Sequence, residues 1–204
     1  MITIIDYGLG NTRAFLNVFK RLNVPARTAR SAAELDGSER LILPGVGAFD
    51  HAMSRLDASG MRERLDEMVL RQRVPVLGIC VGMQMLANRS DEGVLPGLAW
   101  IPGNVRRIDD PQNGTVLPLP HMGWNDVRSS GDHHLFAGLR DAARFYFLHS
   151  YYFACDDASH VAADATYAAR FTCAVSAGNI HGVQFHPEKS HHWGTRLLKN
   201  FAER

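Results

Sequence analysis

The chain has 204 residues, 46% hydrophobic and 21% charged, which suits one α/β domain, residues 1–204, with a real buried core. Lys and Arg number 22 against 21 Asp and Glu, a formal charge of +1, and no basic run marks a nucleic-acid binder. No apolar stretch approaches the ~18 residues needed to span a bilayer, and the first residues lack a signal peptide's basic n-region and cleavage site, so a cytoplasmic location is expected.

Ile2 to Ile5 reads as a buried strand, followed by a Gly-rich turn (Gly8, Gly10) and a helix from about Asn11 to Leu22. Arg40 to Leu43 is a second short strand leading into Pro44-Gly45-Val46-Gly47. Helical spacing runs from Asp50 to Arg71 with a break near Gly60, then Val74 to Ile79 forms a third apolar strand and Met83 to Asn88 begins a helix. Strands alternating with helices imply βαβ units: a flavodoxin-like open, mostly parallel twisted sheet flanked by helices. The second half changes character and adds antiparallel strands. Val105 to Val127 and Arg144 to Phe153 are β-like, Phe171 to Phe185 reads as a hairpin around Ala177-Gly178-Asn179, and Ser190 to Ala202 closes as a helix.

The segment Gly78-Ile79-Cys80-Val81-Gly82 follows the third strand directly. An apolar strand running into Gly-x-Cys-x-Gly and then a helix is the elbow that presents a nucleophile at the carboxyl end of a sheet. Glycines flank the Cys because the turn leaves no room for neighbouring Cβ atoms. The free N–H groups of the helix would favour a thiolate, and the Val81 N–H would hold an oxyanion. Taken alone, the pattern fits a buried structural Cys equally well. The other thiols, Cys155 and Cys173, read as small apolar core residues, and without CxxC pairing there is no disulfide framework or Cys-based zinc site.

Near the C-terminus stands Gln184-Phe185-His186-Pro187-Glu188. In an extended segment residues two apart point to one side, so His186 could serve as base and Glu188 as its orienter, with Pro187 stiffening the link. Gly8-Leu9-Gly10 lacks the third glycine of a dinucleotide fingerprint, and Arg13 occupies its place. The pairs His133-His134 and His191-His192 match no usual zinc spacing, so neither a metal nor a cofactor is expected.

Together, Gly78–Gln84 and Gln184–Glu188 resemble the class I, triad-type glutamine amidotransferases. Ile5–Asn11, Leu43–Phe49, Pro120–Asn125 and Tyr146–Tyr151 narrow the resemblance to the glutaminase subunits of imidazole glycerol phosphate synthases. The resemblance implies hydrolysis of L-glutamine to glutamate and ammonia by Cys80, His186 and Glu188. It implies oxyanion contacts from Val81 and from Val46 or Gly47, and substrate contacts from Gln84, Glu92, His149, Ser150 and Tyr151. It further implies a heterodimer in which the ammonia passes to a (β/α)₈-barrel cyclase subunit for histidine synthesis, with His121–Asn125 near that partner.

Thr12, Trp100, Leu117 and His191-His192-Trp193 depart from the usual pattern. They keep open a paralogue that feeds a sugar amidotransferase in surface-polysaccharide synthesis. A non-catalytic scaffold is the alternative of another class, and an intact Cys, His and Glu set argues against it.

Overall fold

The computed structural model describes residues 1–108, 118–139, 143–167 and 169–203. Leu117 and part of the run from Val105 to Val127 lie outside the described residues.

Four β-branched or small side chains, all buried, make β1 (Ile2–Ile5) an interior strand. The Asn11 side chain then accepts from the Ala14 N–H at 3.1 Å and starts α1 (Thr12–Arg21), which turns Phe15, Val18 and Phe19 inward and ends on Lys20 and Arg21, opposite the negative helix end. β2 (Ala26–Ala29) follows. Its Ala-Arg-Thr-Ala pattern carries no strand signal in the sequence, and it is only half-buried, as suits an edge strand. β3 (Arg40–Gly45) leads to α2 (Phe49–Ala58), which stops at Ser59 before Gly60 (φ 69°), the expected break. The pattern resumes in α3 (Arg62–Asp66) and a π-helical turn over Glu67–Arg71, and β4 (Val76–Cys80) is buried throughout.

After β4 the expected helix from Met83 to Asn88 is replaced by a single turn, α4 (Val81–Gln84). Hydrogen bonds to the next loop end it early: the Met85 carbonyl accepts from Leu98 at 2.8 Å, Leu86 from Trp100 at 2.9 Å, and Asn88 donates to Gly103 at 2.9 Å. β5 (Arg89–Ser90) and β6 (Gly103–Arg107) start a small sheet, while β7 (His121–Ser129) and β8 (Ala143–His149) join the large one. The run from Arg144 to Phe153 is therefore two strands. The chain leaves β8 at His149, bends at Ser150 and enters β9 (Tyr151–Cys155) in the small sheet.

β10 (Val161–Tyr167), Ala-rich with a buried Asp164, carries too weak a pattern to be read from sequence, whereas β11 (Ala169–Ala177) and β12 (Ile180–Val183) form the expected hairpin. α5 (His191–Glu203) closes the chain on Leu197, Leu198 and Phe201. The nine-stranded sheet has the order β2-β1-β3-β4-β12-β11-β10-β7-β8, parallel across its first five strands and antiparallel beyond β12. The parallel half has the flavodoxin-like order, whose ligands bind beyond the carboxyl ends of the strands. The sheet as a whole is mixed, the parallel half being extended by the antiparallel strands expected from the second half of the chain.

Candidate active site

Cys80 ends β4 with φ 56° and ψ −113°, a conformation rare for any residue with a Cβ. Close packing holds it there. A Cβ on Gly82 would lie 1.9 Å from the Leu43 carbonyl oxygen, one on Gly78 2.6 Å from the Gly82 oxygen, and one on Gly45 2.3 Å from the Gly82 nitrogen. Only glycine lets β3 and the elbow touch, and that contact sets the Val46–Gly47 loop beside the sulfur. Because α4 is one turn long, its contribution near Cys80 is that of a few free N–H groups, less than the longer helix read from the sequence would provide.

His186 follows β12, the strand next to β4. Its Nδ1 donates to Glu188 Oε1 at 2.9 Å, both side chains being almost fully buried, which leaves the opposite side of the ring for Cys80. Burial pushes the imidazolium down, but hydrogen bonds and charge from Cys80 and Glu188 outweigh it and raise His186 to about 10. Glu188 does not reach His186 along an extended segment, as the sequence spacing suggests. Pro187–Lys189 forms a 3₁₀ turn, the Lys189 N–H donates to the His186 carbonyl at 3.0 Å, and this turn folds Glu188 back onto the ring. Ser190 Oγ fixes the turn by donating to the His186 carbonyl at 2.6 Å and accepting from the Tyr146 N–H at 3.0 Å.

These groups open onto a pocket of about 330 Å³. Val46, Gly47, Cys80, Val81, Gln84, Glu92, His149, Ser150, Tyr151 and His186 all line it, so ten of the eleven residues singled out in the sequence converge there, and Glu188 supports it from behind His186. The bend at Ser150 explains why three consecutive residues contribute. Glu92 also braces the Val46–Gly47 loop, since its Oε2 accepts from the Phe49 N–H at 2.9 Å and caps the start of α2 just after it. Tyr7 holds the other end of that loop, its buried hydroxyl donating to the Pro44 carbonyl at 2.7 Å. Burial, and then the charge of Cys80, push the Tyr7 hydroxyl well up, so it stays a donor.

On the β7–β8 side stands a second set of imidazoles. A carbonyl can only accept, so His149 Nδ1 donates to Tyr151 O at 2.7 Å and its Nε2 accepts from His121 Nδ1 at 3.0 Å. His121 Nε2 then accepts from Asn125 at 3.2 Å, with the His121 ring stacked between Phe147 and Tyr167. Burial drives His121 down to about 4. Burial also lowers His149; the Tyr151 carbonyl acts upward, the nearby His121 and His186 act downward, and the ring ends at about 3.

Elsewhere, His133 and His134 sit with His181 beside Arg40 at the opposite end of the sheet, and His191 stacks on Trp124 at 5.2 Å. Among the described residues no group of three His, Cys, Asp or Glu could hold a metal ion. Burial raises the thiol of Cys155 to about 11 and that of Cys173 well up, as suits apolar filler. Trp100 is buried, its indole donating to Asp66 at 2.7 Å. The sequence points to no role for Tyr7 or Gln184, and it places His121 only by resemblance, near a partner and not beside His149. Their motifs were visible, but their partners lie 28 to 104 positions away along the chain.

The family described as glutamine amidotransferase class-I matches residues 3–204. The imidazole glycerol phosphate synthase subunit HisH of Bdellovibrio bacteriovorus is 59% identical over 203 residues, covering all of both chains. The subunit of the same name from Leptospira interrogans is 49% identical, with 99% of each chain covered. A glutamine amidotransferase crystal structure shares the fold with TM-score 0.75 at 20% identity, covering 99% of this chain and 97% of that one. A putative GMP synthase subunit from Thermoplasma acidophilum does so with TM-score 0.73 at 23% identity, covering 98% and 91%. Among the described residues, no helix is long and apolar enough to cross a membrane.

Proposed function

The chain belongs to the class-I glutamine amidotransferases, among the HisH subunits of imidazole glycerol phosphate synthase, and on that premise we propose that Cys80, His186 and Glu188 hydrolyse L-glutamine and that the ammonia passes to a (β/α)₈-barrel cyclase subunit for histidine synthesis. The observation that carries this reading is the buried 2.9 Å contact between Glu188 and His186, with Cys80 on the other side of the ring at the floor of the pocket.

The Cys80 thiolate attacks the amide carbon of glutamine, and the carbonyl electron pair moves to oxygen. The Val81 N–H and a peptide N–H at Val46 or Gly47 hold that oxyanion. His186, protonated, gives its Nε2 proton to the amide nitrogen; the C–N bond breaks, ammonia leaves, and a γ-glutamyl thioester remains on Cys80. His186 then takes a proton from water as the water oxygen attacks the thioester carbon. Collapse releases glutamate and restores the thiolate. Glu188 keeps the Nδ1 proton in place and balances the imidazolium charge. Glu92 suits the α-ammonium of the substrate, and Gln84, His149, Ser150 and Tyr151 complete the pocket around it. All 204 residues act as one unit in this reading.

The docking face is the apolar surface at the pocket mouth. Met122 (67% exposed) and Leu148 (38%) are cross-strand partners on β7 and β8, with Trp124 (39%) alongside and Val46 (41%) on the oxyanion loop. Large apolar side chains exposed in one place suit a protein partner.

The test is glutamate release from glutamine by the chain mixed with the cyclase from the same source, with and without the cyclase's nucleotide ligand. The expected result is stimulation by the ligand that vanishes in Cys80→Ala. Glutamate release by Cys80→Ala would overturn the triad. Absence of stimulation from a folded protein whose Cys80 can still be alkylated would overturn the choice of partner and leave the glutaminase standing.

A further inference from the structure

We infer that Gln184 is a further catalytic residue: its side-chain amide donates to the Cys80 sulfur and is aimed there by Gln84. The inference rests on Cys80 being the nucleophile.

Polarity along the hydrogen-bond chain fixes the direction of each amide. The Tyr151 carbonyl can only accept, so the group that Gln84 turns towards it, at 3.2 Å, is its NH₂. That same NH₂ meets Gln184 at 3.0 Å, and Gln184 must answer with its carbonyl oxygen. The NH₂ of Gln184 is thereby turned the other way, and it lies 3.8 Å from Cys80 Sγ, within N–H···S range.

The backbone supports the same placement. Val183 on β12 is in register with Ile79 on β4, so the residues that follow, Gln184 and Cys80, come side by side where the two strands end. The Gln184 N–H is anchored on the Cys173 carbonyl at 2.8 Å.

Gln184 is fully buried, and a buried amide donor needs an acceptor. A neutral thiol accepts weakly. A thiolate accepts strongly, so the contact favours the ionised, attacking form of the sulfur. His186 and Gln184 hold Sγ from two sides, one with a charge and one with a neutral dipole. Gln84, a pocket residue by resemblance to its family, thus acquires a second part as the group that orients Gln184.

The experiment follows alkylation of Cys80 by iodoacetamide across pH in the full chain, with the site of modification read by mass spectrometry. Gln184→Met keeps the volume and removes the donor. Its alkylation profile is expected to move to higher pH, with a rate at neutral pH lower by roughly tenfold. Gln84→Met leaves Gln184 in place but no longer aimed, and its profile is expected to move in the same direction by less. A Gln184→Met profile that superimposes on the parent overturns the inference. If that variant does not fold, Gln84→Met decides: a superimposable profile overturns the inference and a shifted one sustains it. The readout is the thiol and not turnover, so it separates from the proposed glutaminase chemistry. Glutamate release by Cys80→Ala would sink the nucleophile assignment, whereas an unshifted profile with inactive Cys80→Ala sinks only the role of Gln184.

Discussion

The His186–Glu188 side of the pocket and its β7–β8 side treat a buried imidazole in opposite ways. His186 and His149 both line the cavity and both are almost wholly buried, yet His186 stands at about 10 and His149 at about 3. Burial alone lowers both, since a low-dielectric site disfavours the cation. What separates them is the partner. His186 has a carboxylate on one ring nitrogen and Cys80 on the other, whereas His149 gives its one proton to a carbonyl and receives another from a neutral His121. Side chains of one type are held as a cation and as a fixed neutral post through their hydrogen-bond partners.

The sharpest way to break this contrast is to take the charge from Glu188. In Glu188→Gln the amide can neither balance an imidazolium nor hold the Nδ1 tautomer. Glutamate release should fall on the order of 10⁴-fold, the loss seen when a triad carboxylate becomes an amide. Steady-state kinetics check it, and a loss below tenfold would mean that Glu188 only packs. A smaller effect is expected from Tyr7→Phe, which keeps the ring and removes the 2.7 Å bond to the Pro44 carbonyl at the root of the Val46–Gly47 loop. The expected outcome is kcat lower by about tenfold, KM nearly unchanged and stability lower by ~1 kcal/mol, measured by turnover and denaturant unfolding.

The contrast also extends to stability against pH. His186 is raised above its unfolded value near 6.5, so its contribution is full below that pH and fades as pH rises through about 10. His121, His149 and His181 are lowered to about 4, 3 and 3, so their contribution is full above pH 6.5 and is lost as pH falls towards those values. Below pH 6.5 each of the three should steepen the loss by up to about 1.4 kcal/mol per pH unit. Denaturant unfolding at pH 7 and pH 5 measures this, and His181→Gln should flatten the acid limb without touching the active site. Equal stability at the two pH values would contradict neutral burial of these rings.

Much of this arrangement was legible in the sequence alone. The elbow could be read because Gly78, Cys80 and Gly82 follow a fully apolar strand, and tight local sterics leave a local signature. The closing helix and the β11–β12 hairpin were legible from other local signals, the helical spacing of Leu197, Leu198 and Phe201 and the Gly178-Asn179 turn. β2 and β10 were not, because a half-buried edge strand and an Ala-rich strand with a buried Asp164 owe their structure to neighbours distant along the chain. The length of α4 was misread because the loop at Leu98–Ile101, not the helical sequence, ends it. Glu188 was placed on the right partner through the wrong backbone, a 3₁₀ turn rather than an extended segment. The amide pair of Gln84 and Gln184 was out of reach, since 100 residues separate its members.

The most direct measurement is to treat the chain with a diazoketone analogue of glutamine and map the adduct by mass spectrometry. The expected result is a single adduct on Cys80, slowed by glutamine and absent from Cys155 and Cys173. An adduct on either of those thiols, or an unmodified Cys80 in a preparation that still releases glutamate, would contradict Cys80 as the nucleophile.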